Sequence, residues 1–372
     1  MRILHVVATG NRRGAEIFAS DLVRALVGLG IDQRVAVLHG SAVEVAFDAP
    51  TTLLMSGTWK VPGLKVDPGA IRRLRELASA WRPDVVQAHG GETLKYALLA
   101  LLGTATPIIY RRIGLAPGWL ARGARRAVYG SLMRRAARVV AVAEEVRRES
   151  VDVFHVPSET VVVIPNGIDR RRMARTRSAG ETRRSLGVPA GTPVLLSLGA
   201  ISWEKDPLSH LRITTRVLRE REIVHLWVGD GPMREVLRAA ADRAGLDGRF
   251  LLLGSRADVA DLLALADVVL FASRTDGMEG MPAAVIEAGM AGVPVAGFAI
   301  AGVPEVVVDG ETGMLALPGD VEGLARQVSA LLGDQQRRRG MGKAARERCL
   351  ARFEIGHVAP RYLSLYEEVA GS

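Results

Sequence analysis

Two carboxylates, Glu279 and Glu287, bracket the turn Gly280-Met281-Pro282 at the expected start of a short helix. Pro282 fits the first helical position, where its missing N–H costs nothing, and the backbone N–H groups just beyond it can meet an anion. Glu279 then falls in the loop and Glu287 in the helix. A carboxylate is an acceptor with about four lone-pair sites, well matched to hydroxyl groups, so one glutamate can hold a sugar and the other a ribose. Together these features suit a sugar nucleotide.

Other segments carry chemistry in the same order along the chain. Arg2–Val7 reads as a buried strand running into Thr9-Gly10-Asn11-Arg12-Arg13-Gly14, a turn that opens an amphipathic helix and can accommodate a phosphate. Val85–His89 is an apolar strand ending in histidine, followed by Gly90-Gly91, which would let a ligand approach the backbone. Leu195–Lys205 places a lysine just past a strand and a glycine, and Ala301-Gly302-Val303-Pro304-Glu305 follows the carboxylate pair. The ordered set resembles the retaining glycosyltransferases of family four, the glycogen-synthase-like and mannosyltransferase-like group, with Glu279 and Glu287 as its E-x7-E signature.

The resemblance implies a metal-independent, front-face displacement in which the departing diphosphate accepts the acceptor's proton. That differs from glycosidase chemistry, where a nucleophilic carboxylate sits about 5 to 5.5 Å from an acid. It makes Lys205 the diphosphate lysine, His89 a contact of the transferred sugar and Glu279 its holder, so these three form the catalytic set. Gly14, Ser255, Arg256, Gly280, Met281, Pro282, Glu287 and Glu305 would join Lys205 and Glu279 in binding the donor, Ser255 and Arg256 lying where the family places its base. Glu305 equally fits a cap of the short helix that follows. The family pairs its lysine with an arginine in a G-R-x4-K pattern, and here Ala200 stands at the arginine position. Arg12, Arg13, Arg256 or Arg274 would have to supply the second cation. The alternative is a catalytically impaired protein acting as a partner of another transferase.

Apolar strands alternate with helical stretches, the pattern of α/β domains built on parallel sheets. Strands are expected at 2–7, 34–38, 52–55, 85–89, 108–110, 139–142 and 161–164, then at 194–198, 224–228, 250–253, 268–271, 293–297 and 313–316. Between the two sets, Asp169–Pro193 turns basic and then Gly- and Pro-containing, which suits a connection. The reading is two doubly wound Rossmann-like domains facing across a cleft, the glycosyltransferase-B fold by resemblance. Residues 1–175 would bind the acceptor, 176–353 the nucleotide sugar, and 354–372 would form a helix returning to the first domain.

With 372 residues, 48% of them hydrophobic, the chain can fill two cores. No apolar run reaches the roughly 18 to 20 residues of a membrane helix. The N-terminal apolar stretch is too short for a signal peptide and runs into Arg12 and Arg13. A single cysteine, Cys349, suits a reducing compartment, and the absence of a Cys/His cluster leaves no case for a structural zinc site. Net charge is +9, divided as +13 over residues 1–187 and −4 over the rest. Between residues 111 and 143 lie eight arginines and no acid, interleaved with Trp119, Leu120, Tyr129, Leu132 and Met133. This resembles a patch for an anionic membrane surface, with a break at Gly130 able to align its two arginine clusters.

These features predict a cytoplasmic glycosyltransferase, peripheral at the inner face of the plasma membrane, that uses a UDP-sugar or GDP-sugar as substrate, with neither cofactor nor metal. Its acceptor would be lipid-linked or a polysaccharide or glycoconjugate. A non-hydrolysing sugar-nucleotide epimerase shares the fold and is the other enzyme class considered. Nucleic acid is not expected, since the arginines lack a recognisable reading module.

Overall fold

The computed structural model describes residues 1–40, 44–54 and 66–371. Thirteen strands are present among them: β1 (Arg2–Thr9), β2 (Asp32–His39), β3 (Thr51–Leu53), β4 (Val85–His89), β5 (Ile108–Arg112), β6 (Arg138–Ala141), β7 (Val161–Val163), β8 (Val194–Leu198), β9 (Val224–Val228), β10 (Phe250–Leu252), β11 (Val268–Phe271), β12 (Val295–Phe298) and β13 (Gly313–Ala316). They form two wholly parallel sheets, ordered β3-β2-β1-β4-β5-β6-β7 and β10-β9-β8-β11-β12-β13. Each sheet reverses its winding beside its first strand, the arrangement that places ligand loops at the carboxyl ends of strands. Every residue of β4 and of β9 is buried, as helices on both faces require.

All thirteen expected strands are present, five of them (85–89, 194–198, 224–228, 268–271 and 313–316) with the expected ends and eight with shifted ones. Met55, at the end of one expected strand, lies outside the described residues. The expected strand at 293 begins instead at Val295. Gly292 takes the left-handed conformation that ends the helix Ala283–Ala291, and the Val293 N–H returns to the Ala288 carbonyl (2.9 Å), so Val293 completes the helix rather than the sheet.

The chain divides into two compact units, Met1–Gly167 with Ile355–Ser372, and Ile168–Glu354. The change falls eight residues before the boundary read at 175/176. The helix Ile355–Ala370 belongs to the first unit, where Ile355, Val358, Tyr362, Leu365 and Tyr366 join Ile3, Phe18, Val85 and Ile109 in one core. Its amphipathic sequence explains the docking, because an isolated helix with that apolar stripe would leave it in water. In the second unit Ile201, Trp227, Leu237 and Phe250 form a separate core.

Candidate functional site

In the second unit the site is built from loops following β8, β9 and β11. After β8 the chain turns at Gly199, whose N–H donates to the Val228 carbonyl (2.9 Å) and whose carbonyl accepts from Trp227 Nε1 (3.0 Å). Gly229 is required here: its φ is +138°, and a Cβ would stand 1.9 Å from the Gly199 oxygen. The two loops are therefore locked backbone to backbone. Past Ala200, the 3-10 turn Trp203–Lys205 ends at Asp206, which is left-handed (φ +44°) and caps the helix Pro207–Leu218 through Ser209.

Lys205 Nζ lies 2.5 Å from Glu279 Oε1, which also accepts from Ser273 Oγ at 3.0 Å. Glu279 follows Met278, another left-handed non-glycine residue (φ +62°). Such backbone costs about 1 to 2 kcal/mol and collects where a side chain must be aimed. The Gly280 carbonyl accepts the Gly302 N–H (2.7 Å) just after left-handed Ala301, tying the carboxylate loop to the one carrying Glu305. Pro282 stands one position earlier than expected, as N-cap of the helix Ala283–Ala291, with its carbonyl accepting from Val285. Met281 is buried core. Glu287, on the second turn of that helix, is buried and ion-paired with Arg172.

The arginines expected to replace the missing cation behave differently. Arg256 forms a two-pronged pair with Asp258 (2.7 and 2.6 Å), which raises its own pKa and lowers that of the aspartate. Arg274 pairs with Asp276 and stacks over Trp203, 4.4 Å from the ring centre. Both charges are thus engaged locally. Ser255 is exposed beside Arg256, and Glu305 lies in the first turn of the four-residue helix Val303–Val306, with its carbonyl bound by Arg348. Sequence reasoning missed Arg172 and Ser273. Both sit in segments whose pattern said only connection or strand end.

A buried hydrogen-bonded ring supports these loops. His210 Nε2 accepts the Ala272 N–H (3.2 Å), so its Nδ1–H donates to Ser197 Oγ (2.8 Å). Ser197 in turn donates to His225 Nε2 (2.8 Å), and His225 Nδ1–H donates to Thr214 Oγ1 (2.6 Å), which donates to the His210 carbonyl (2.8 Å). Every member needs both imidazoles neutral. Burial enforces this, lowering His225 to about 3 and His210 well below its usual value, the latter helped by nearby His225 and Lys205.

In the first unit Gly14 opens the helix Gly14–Val27, with open space where a side chain would stand. Arg12 and Arg13 precede it, both exposed. His89 ends β4 and is buried against His5 and Phe18. The Gln33 amide donates to the Val23 carbonyl, so its oxygen accepts from His5 Nε2 (2.9 Å). His5 Nδ1 must then accept from His89 Nε2 (3.2 Å), leaving His89 Nδ1 as an acceptor without a protein partner. Gly91 admits Tyr129, whose hydroxyl lies 2.8 Å from a Cβ built there.

The arginine-rich segment is divided by burial. Arg111 and Arg112 are inside, Arg111 over the Phe18 ring and bonded to Asn166, Arg112 paired with Glu149. Arg122, Arg125, Arg126, Arg134 and Arg135 are exposed, as are Trp119 and Val128. The helix Gly123–Met133 runs through Gly130 without a break, and that glycine leaves room for the Phe154 carbonyl, 2.4 Å from a built Cβ. Among the described residues no helix is long and apolar enough to cross a membrane, and no group of His, Cys, Asp or Glu could hold a metal ion.

Two family descriptions match the chain in tandem, "Glycosyltransferase Family 4" over residues 12–172 and "Glycosyl transferases group 1" over 178–348. The D-inositol 3-phosphate glycosyltransferase of Kineococcus radiotolerans is 30% identical across 96% of this chain and 91% of its own. The N-acetyl-alpha-D-glucosaminyl L-malate synthase of Bacillus anthracis is 28% identical over 62% of this chain and 59% of its own length. An Anabaena protein, HepE, solved with UDP-glucose, superposes with a TM-score of 0.85 at 21% identity, covering 99% of this chain and 100% of that one. The fold is thereby the glycosyltransferase-B fold. The chain is an enzyme that transfers a sugar from a nucleotide donor, and it belongs to glycosyltransferase family four.

Proposed function

We propose that the transfer is retaining and metal-independent, that the donor is a UDP-sugar or GDP-sugar held by residues 176–353, and that the acceptor is a lipid-linked or polysaccharide hydroxyl bound by residues 1–175. The observation carrying this reading is the Lys205–Glu279 pair, aimed by left-handed residues on glycine-locked loops. A diphosphate is a stronger partner for Lys205 than a carboxylate, since it offers more oxygens and more charge. As it takes the ammonium, Glu279 is released to accept hydroxyls of the transferred sugar while Ser273 keeps its orientation. The bond from the anomeric carbon to the diphosphate breaks on the face where the acceptor oxygen bonds. The acceptor's proton passes to the departing diphosphate, whose growing charge Lys205 stabilises. His89 Nδ1, left as an acceptor, suits a sugar hydroxyl. Donor chemistry draws support from the UDP-glucose bound by the Anabaena protein. The names of the relatives speak for hydroxyl-bearing acceptors: inositol phosphate in one and malate in the other.

A panel of nucleotide sugars, scored for binding and slow hydrolysis, tests the donor assignment. With the donor that binds, Glu279→Ala should leave affinity for the free nucleoside diphosphate nearly intact, and Glu287→Ala should weaken it about tenfold or more, the worth of one charged hydrogen bond. Equal loss in both variants would overturn the division of roles.

A further inference from the structure

We propose that Arg172 is a positioning residue for nucleotide binding: its guanidinium fixes the Glu287 carboxylate so that it can receive the ribose hydroxyls. The inference rests on Glu287 being the ribose acceptor. Three successive arginines occupy the 3-10 turn Arg170–Met173, and they have different surroundings. Arg170 is exposed. Arg171 returns to Asp169, which accepts both its backbone N–H (2.9 Å) and its guanidinium (2.9 and 2.6 Å). Arg172 alone turns inward, its side chain 24% exposed, and donates to Glu287 Oε1.

Glu287 needs such a partner. Its neighbours on the helix, Val285, Ile286, Ala288 and Met290, are all buried, and its own side chain is only 10% exposed. Burying a carboxylate is costly unless it is paired and hydrogen-bonded. An ionised carboxylate accepts several donors at once, so the guanidinium and a ribose can share it. The turn carrying Arg172 is pinned by the Asp169 cap, which keeps the guanidinium in place before the nucleotide arrives.

The test compares affinities for UDP and 2′,3′-dideoxy-UDP, or the guanine pair if GDP is what binds. The ratio isolates the ribose hydroxyls from the base and diphosphate, and a general loss of folding would not move it selectively. The native protein should favour the hydroxylated form about tenfold or more. Glu287→Gln and Arg172→Gln should both bring the ratio close to one, while Arg172→Lys should retain part of the preference. Arg172→Met, which keeps a long side chain without the charge, replaces Arg172→Gln if the latter does not fold. An unchanged ratio in the neutral Arg172 variants, beside a collapsed one in Glu287→Gln, overturns the inference and leaves the ribose assignment standing. An unchanged ratio in Glu287→Gln overturns the ribose assignment itself. Tighter UDP binding in Arg172→Gln would make the arginine a competitor of the ribose and also overturn the inference.

Discussion

Ala200 makes Lys205 the residue on which transition-state charge should depend most heavily. Where the family uses a lysine and an arginine, this chain offers at the two motif positions one ammonium, and the arginines considered as substitutes in the same unit already hold aspartates. Lys205→Ala should therefore lower kcat at least about a hundredfold, the scale for removing one preorganised donor to a developing oxyanion. Ala200→Arg provides the complementary measurement. Ala200 is exposed, so a long side chain placed there can extend into water. No gain in kcat is expected. A large gain would mean the native enzyme is impaired and would favour a role as a partner of another transferase. The carboxylate pair was legible in the sequence because its spacing is local. Arg172 was not, because its ion pair joins residues more than a hundred positions apart and nothing in the run of three arginines distinguishes the middle of the turn from its end.

At the scale of elements, all thirteen strands could be read from apolar runs bounded by glycine, proline and polar residues, since parallel strands buried on both faces have little other way to be written. Their ends were less legible, because an end is decided by a hydrogen bond such as that from Val293 to Ala288. Apart from His89, singled out at its strand end, the buried histidines were legible only as letters. The structure puts His5 with His89 under one sheet's loops and His210 with His225 under the other's, each chain of hydrogen bonds requiring neutral rings. This fixes a pH dependence. Burial lowers His5 to about 4 and His225 to about 3, with His89 and His210 also well below the ordinary value of about 6.5. On unfolding these rings regain that value, so between pH 6.5 and about 4 the unfolded chain binds more protons than the folded one. Their contribution is complete above pH 6.5 and is lost as pH falls through that window, by up to about 1.4 kcal/mol per unit for each ring. Urea midpoints measured from pH 8 to 4.5 should stay level to about 7 and then fall. A level midpoint throughout would mean that the histidines are protonated in the folded protein.

For the whole molecule, charge is the property that the fold does not explain. The sheets account for the apolar half of the composition, but a first half at +13 beside a second at −4 adds nothing to either core. Burial narrows the candidates: Arg111 and Arg112 serve the interior, Arg138 pairs with Glu368, and Arg134 donates to the Phe154 carbonyl. Arg122, Arg125, Arg126 and Arg135 remain exposed, and the first three share a segment with Trp119 and Val128, each of which is 62% exposed, Arg125 lying over the indole at 5.6 Å. Cations around an exposed tryptophan and valine suit an interface of anionic headgroups and acyl chains. The protein should accordingly bind vesicles rich in anionic lipid at low salt and release them as ionic strength rises toward physiological, where the Debye length is about 8 Å. Replacing Arg122, Arg125 and Arg126 by Gln should remove most of that binding, whereas replacing Arg134, Arg135 and Arg138 should remove less, because two of these already have protein partners. Slow hydrolysis of the donor should be equal in both triple variants, since none of the six arginines is in the loops proposed to hold the donor. Failure of the native protein to bind anionic vesicles at low salt would exclude the membrane and leave a water-soluble acceptor, such as those named for its relatives, as the substrate to test first.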